Sequence, residues 1–399
     1  MKKSTYIFIS LLFSVGFWDV SFITKIIPPE GYLILSCSWS LSSYLIYLNN
    51  PRNNNLYSRK YIRLMYYILV GVFISMISAD LFWKQDFGTT FVSQRSIYSI
   101  ISLPAILFVQ PSEKELIKAL KWISILTVTI WVVAIFYPQI LNIDQESIER
   151  TKSGKESDIG YNITGIYFVL IYLYYKIGEY IKEFTFKTFL SASFWFVFLI
   201  LFQNRSMLIG IIPVLVYSII KFKYKNKFGL IIVLSILIIL VVLSTMNIWM
   251  SLINQTQEEL STADYNRIKS LNYYLLEYSP NWFCYIFGNG FPSAHTSFGQ
   301  IMWDNFEQGL YASDIGLIGM WTTYGLLPLI TIYTIVIKII RKNHFPLFLK
   351  FVCFHVLFVP TIFQYWENPG VMFFVLIFYL FAYYNEKKPT YAINNNNKL

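Results

Sequence analysis

Residues 249–313 read WMSLINQTQEELSTADYNRIKSLNYYLLEYSPNWFCYIFGNGFPSAHTSFGQIMWDNFEQGLYAS. They form the longest polar segment of a chain that otherwise reads as stacked hydrophobic spans, and this contrast decides the fold class. The 399 residues are 56% hydrophobic and 14% charged, with a mean hydropathy of +0.50. That composition is far too apolar for a soluble globule and fits a bilayer, where a spanning helix needs roughly 20 mostly apolar residues. The chain is therefore expected to be an all-α polytopic membrane protein. It forms one integral membrane domain over residues 1–399, with outer loops at 138–159 and 249–313.

Working outward from the polar segment, apolar runs bounded by charges or by Pro, Gly and Asn clusters give about twelve spans. They lie near residues 5–24, 30–48, 62–83, 96–110, 118–137, 160–177, 188–203, 206–220, 228–248, 314–337, 346–363 and 370–385. In 188–220, Gln203-Asn204-Arg205 must turn two short helices, and a single kinked or re-entrant helix is the alternative there.

Charge sets the orientation. With the N-terminus in the cytoplasm, 23 of the 32 basic residues fall on the inner side, and only five of the 22 acidic ones do. The positive-inside bias predicts that both termini are cytoplasmic. The net +10 is thus a topology signal and no sign of nucleic-acid binding. Lys2-Lys3 before an apolar run resembles a signal peptide, but Trp18-Asp19 and Pro28-Pro29 stand where a small-residue cleavage site would be, so an uncleaved first span is expected. Cys37 and Cys353 lie inside spans and Cys284 stands alone in the outer loop, which gives no disulfide framework and no metal spacing. There is no repeat, Walker loop or dinucleotide fingerprint. The tail, residues 386–399, is Asn-rich at its end and reads as a disordered cytoplasmic segment.

In the long outer loop, Leu260, Ile268, Leu271 and Leu275 have helical spacing, predicting an amphipathic surface helix from Asn254 to Tyr278. Gly288-Asn289-Gly290-Phe291-Pro292 then breaks the chain. Four polar residues could carry chemistry. Arg205 follows a span at the outer membrane edge, where its planar fork suits a diphosphate, although a snorkelling or topology-setting charge reads the same way. Arg267 sits on the surface helix, where a solvated face with local pairs is the plain alternative. His295, the single outer-side histidine, can act as a general base or bond a sugar or phosphate, or be an ordinary loop histidine. Asp314 opens a span as an N-cap, a role compatible with catalysis because helix N-termini attract anions. Gly316, Gly319 and Gly325 suit close helix packing. Trp249, Trp282, Trp303, Tyr273, Tyr274, Phe291 and Tyr311 could stack on sugars or form an interfacial aromatic belt.

The order of these features resembles the Wzy-type O-antigen and capsule polysaccharide polymerases, which share a superfamily with the O-antigen ligases. Asn204-Arg205-Ser206 is similar to that family's Ser-Arg-small motif, with Asn in place of Ser. Gly288-x-Gly290 and His295 match its glycine turn and loop histidine, and Asp314-x-Gly316 resembles the polymerase form of the closing motif. The ligases usually carry Asn after the histidine, whereas Thr296 follows here.

The resemblance implies a GT-C-like glycosyltransferase of the bacterial cytoplasmic membrane that joins undecaprenyl-diphosphate-linked glycans on the outer leaflet. Arg205 and Arg267 would stabilise the diphosphate leaving group without metal or cofactor, Gly288 and Gly290 would shape the loop, and His295 or Asp314 would serve as the base. A chain-length regulator and a flippase of the same pathway are the implied partners. The alternatives are an O-antigen ligase and, from another class, a polysaccharide flippase or other transporter. A flippase should show inverted repeats and a midplane site. A structural scaffold is the remaining reading.

Overall fold

Ser112 and Glu115 illustrate how this sequence starts a helix. Ser112 Oγ accepts from the Glu115 N–H at 3.3 Å while Glu115 Oε2 accepts from the Ser112 N–H at 2.8 Å. This reciprocal capping box satisfies two of the free N–H groups at the helix start. The computed structural model describes residues 2–27, 56–141, 165–183, 185–202, 266–358 and 368–386, with isolated positions between 31 and 45 and between 210 and 217.

Among the described residues the regular elements are helices: α1 (Lys3–Ser14), α2 (Leu56–Trp83), α3 (Phe87–Ser93), α4 (Ser102–Val109), α5 (Glu113–Phe136), α6 (Ile166–Glu183) and α7 (Phe186–Leu201). After these come α8 (Asn266–Leu276), α9 (Trp282–Phe287), α10 (Ser297–Glu307), α11 (Leu317–Tyr324), α12 (Leu326–Arg341), α13 (Leu347–Phe358) and α14 (Asn368–Glu386). Short 3-10 turns and one four-residue helix link some of them.

The last helix is the centre. α14 packs against α1, α2, α4, α6 and α12, and Phe373, Phe378 and Tyr379 on it are fully buried. A helix apolar on every side belongs in such an interior position. By contrast α2 buries Ile68, Val72 and Met76 and exposes Tyr66, Val70, Phe73, Ile77 and Leu81. An apolar stripe that faces outward at helical spacing is what a lipid-facing helix presents.

The helix ends meet in register. Lys3 Nζ donates to the Gln110 carbonyl at 3.0 Å, Tyr61 Oη to Glu386 Oε1 at 2.9 Å and Tyr379 Oη to the Pro111 carbonyl. Phe345 stacks on Phe381 beside them. These contacts gather the starts of α1, α2, α5 and α13 and the end of α14 at one end of the bundle.

Three helices, Lys60–Trp83, Glu113–Phe136 and Pro369–Glu386, are long and apolar enough to cross a membrane. A fourth span arises if the bent pair Phe87–Ser93 and Arg95–Val109, at 72°, counts as one. The expected spans at 30–48, 206–220 and 228–248 lie wholly or mostly outside the described residues, as do residues 142–159 of the first outer loop, 249–265 of the second and the tail from 387 onward.

Three expected spans are broken. The one at 5–24 ends at Ser14, and the chain then runs left-handed through Gly16, Phe17, Trp18 and Asp19 with φ of 55°, 52°, 59° and 51°. Each non-glycine residue in that region costs about 1–2 kcal/mol. Opposing that strain, Trp18 Nε1 donates to Thr127 Oγ1 at 3.0 Å and Ser21 Oγ to the Gln139 carbonyl at 2.6 Å. The span at 96–110 begins as a 3-10 segment, Arg95–Ile101, and follows the bend after α3. The span at 314–337 is divided into a 3-10 turn (Ala312–Ile315), α11 and α12 by Gly316 and Gly325. Their left-handed φ of 50° and 82° is incompatible with a continuous helix. Asp314 is therefore not the N-cap of the following helix; Gly316 holds that place, without a side-chain cap.

Candidate functional site

The break after α11 creates the acceptors on which the candidate site is built. A helix end leaves its last carbonyls unbonded. Here the glycine turn supplies their partners from outside the helix: Asn289 N donates to Thr322 O and Gly290 N to Thr323 O, each at 2.9 Å. The approach is so close that a Cβ on Gly288 would lie 2.5 Å from Gly325 N and from Thr323 O. Gly288 also has φ of +88°. Two constraints thus reserve this position for glycine.

The turn is packed inside the helix bundle rather than lying on its surface. Residues 288–290 are all buried, and a Cβ on Gly290 would meet Ala79 Cβ and Ser75 O, both at 2.9 Å. Those atoms belong to the last turns of α2. Buried irregular backbone is tolerable only where the surrounding protein pairs its polar groups.

Two buried amides complete the pairing. Asn289 is wholly buried; its Nδ2 donates to Thr322 O at 2.9 Å and to Ser279 Oγ at 3.0 Å, and its Oδ1 accepts from Trp83 Nε1 at 3.0 Å. Gln85, also wholly buried, donates through Nε2 to the Phe291 carbonyl and to Thr90 Oγ1, both at 2.9 Å. Its Oε1 accepts from the Ser293 N–H and from Thr296 Oγ1, both at 2.8 Å. Gln85 therefore grips the chain on both sides of residues 294 and 295.

His295 stands at that tip, exposed. Thr296 next to it caps α10, accepting from the Gly299 N–H at 3.1 Å. No described residue bonds the His295 ring, and its backbone is fixed by Gln85 and by the helix start. Gly299 makes this tip possible. A Cβ there would overlap the Ser293 carbonyl, 2.6 Å from its carbon, and lie 2.9 Å from Ala294 Cα.

An aromatic stack supports the loop from within. Trp83 lies 4.4 Å from Phe298 at 14° and 5.6 Å from Tyr278 at 28°, centroid to centroid. Tyr274, Leu310 and Ile315 close the cluster. α8 packs through Ser270 and Tyr274, with Tyr278 just beyond its end, whereas Ile268, on the expected apolar face, is exposed. Tyrosines win that face because their rings fill the cluster and their hydroxyls can bond at its rim. Burial raises the Tyr273 pKa, with the Asn305 side-chain bond opposing it. It likewise pushes the Cys284 thiol up to about 11. Cys284 and Cys353 are free and buried.

Of the expected site residues, the structure brings the glycine turn and His295 together. The helix of Arg267 and the 3-10 turn of Asp314 are neighbours, with Tyr311 N donating to Ser270 Oγ at 3.0 Å. The side chains of Arg267 and Asp314 lie outside the described residues, and so does all of Arg205. Gln85 and Asn289 were not expected. No sequence signal marks them, because their partners lie up to 211 residues away. No known protein family, no curated protein and no solved structure matches the chain.

Proposed function

We propose that this chain is a membrane glycosyltransferase that polymerises undecaprenyl-diphosphate-linked oligosaccharide repeat units into a surface polysaccharide. In this reading it is a GT-C-like protein of about twelve spans in a bacterial cytoplasmic membrane, with both termini in the cytoplasm and the reaction at the outer face. The observation that carries the reading is the presentation of His295, an exposed imidazole on a loop held rigid by the buried Gln85 beneath it. A base needs reach and fixed geometry before it needs a tuned pKa. The order of Arg205, Arg267, the glycine turn, His295 and Asp314 adds to this support. Arg205 and Arg267 would hold the departing diphosphate, and Asp314 would orient the histidine or the acceptor. The flippase reading gains no support from a loop-borne histidine outside the span centres.

The test is the surface glycan of a deletion strain run on a gel. A strain lacking this protein should carry single repeat units, and long chains should return with the wild-type gene but not with His295→Ala at equal expression. Long polymer in the deletion strain, held on the lipid carrier, would point to the ligase chemistry and overturn the polymerase reading.

A further inference from the structure

Two exposed tryptophans of the outer segment sit in opposite chemical settings. Trp282, 71% exposed, lies beside Phe283, which meets the outward Phe82 of α2, and near the exposed Ile286. An indole continuous with a lipid-facing stripe is an interfacial anchor. Trp303, 49% exposed, stands instead on a polar helix face. Gln300, Asp304 and Glu307 lie three before, one after and four after it, and all are exposed. These spacings place the four on one side of α10. Gln300 Nε2 donates to Asp304 Oδ1 at 3.0 Å, which fixes both planar groups beside the indole. Two carboxylates next to it rule out a bilayer as what covers Trp303, because burying them unpaired in an apolar phase is prohibitive.

The indole is braced rather than loose. Phe306 packs edge-on to Trp303 at 5.7 Å and stacks on Tyr311 at 5.1 Å. The opposite side of α10 is fastened by the buried Phe298 and Asn305, the latter bonded to Tyr273.

We propose that this face of α10 is a glycan-binding platform, taking a neutral or amino-bearing sugar chain whose ring stacks on Trp303. A sugar presents an apolar C–H face and a rim of hydroxyls, and the platform offers a flat aromatic surface with amide and carboxylate groups at its edge. Anionic sugars are disfavoured by Asp304 and Glu307. The helix start beside His295 lies about 9 Å along the axis from Trp303, a distance that an oligosaccharide bridges. The platform would therefore hold the acceptor chain with its end at His295, and that last assignment rests on the polymerase reading.

Purified full-length protein in nanodiscs, applied to an array of neutral, amino and uronic-acid oligosaccharides, separates the two ideas. Wild type should bind neutral or amino glycans. Trp303→Ala should lose at least tenfold in affinity, Trp303→Tyr should retain most of it, and Trp282→Ala should leave it unchanged. No glycan binding by wild type, or equal binding by Trp303→Ala, would overturn the platform. Binding that follows this pattern in a protein without elongation activity would sustain the platform and sink the polymerase reading alone.

Discussion

At the scale of single residues, the glycines and buried amides around His295 do different jobs, and substitutions should separate them. Gly299→Ala places a methyl against the Ser293 backbone, which cannot move without pulling on Gln85. Overpacking of this kind costs about 1–3 kcal/mol. The expected result is a lower melting temperature together with loss of elongation, whereas His295→Ala should lose elongation at unchanged melting temperature. A Gly299→Ala protein with wild-type stability and activity would show that the loop is not fixed as described. Cys284 gives a second residue-scale prediction. With its thiol pushed up to about 11 by burial, almost none is thiolate at pH 7.5, and the thiolate is the reactive form. Mass mapping after iodoacetamide treatment should find Cys284 unmodified in the folded protein and modified in detergent-denatured protein. Labelling of the folded protein should rise only as the pH approaches 11, and full labelling at pH 7.5 would contradict the burial.

At the scale of elements, Asn289 joins the end of α2, the approach to α9 and the end of α11 through three hydrogen bonds. Asn289→Ala would strand the Trp83 indole N–H and take a donor from the Thr322 carbonyl and from Ser279 Oγ, and an unpaired buried group costs about 1–3 kcal/mol. Thermal unfolding followed by tryptophan fluorescence should shift down accordingly, and Asn289→Asp, which keeps one acceptor but loses both donors, should fare no better. An unshifted transition in either variant would remove Asn289 from the joint. Element existence was legible in the sequence where apolar periodicity was long, as in α2, α5 and α14. Breaks were harder to place. Gly316 and Gly325 read as packing residues because a glycine in an apolar run serves either role, and only the carbonyls exposed at Thr322 and Thr323 show which one applies. The glycine turn at Gly288 was legible as irregular backbone, but not its depth, which depends on α2 some 200 residues earlier. Asp314 read as an N-cap because its position before an apolar run satisfies that rule, and the left-handed Gly316 displaced it.

At the scale of the whole molecule, the asymmetry of charge and the meeting of helix ends bear on one question, which end faces the cytoplasm. The sequence puts 23 of 32 basic residues on one side of the expected spans. Lys3, Tyr61, Gln110, Phe345 and Glu386 meet at a common end of the bundle, and each of them belongs to the expected inner side. His295, Trp83 and the start of α10 belong to the expected outer side, and α2 connects the two ends over its 28 residues. At 1.5 Å per residue that helix is about 42 Å long, enough to cross a hydrocarbon core of about 30 Å and emerge on both sides. A reporter active only in the cytoplasm should therefore signal when fused after Asn226 or Asn343, and one active only outside should signal after Lys152 or Gln257. The fusion at Gln257 is decisive, because it lies in the polar segment that leads to His295. A cytoplasmic signal there would put His295 on the same side as the basic ends, away from any outer-leaflet glycan, and the proposed reaction would then have no substrate within reach.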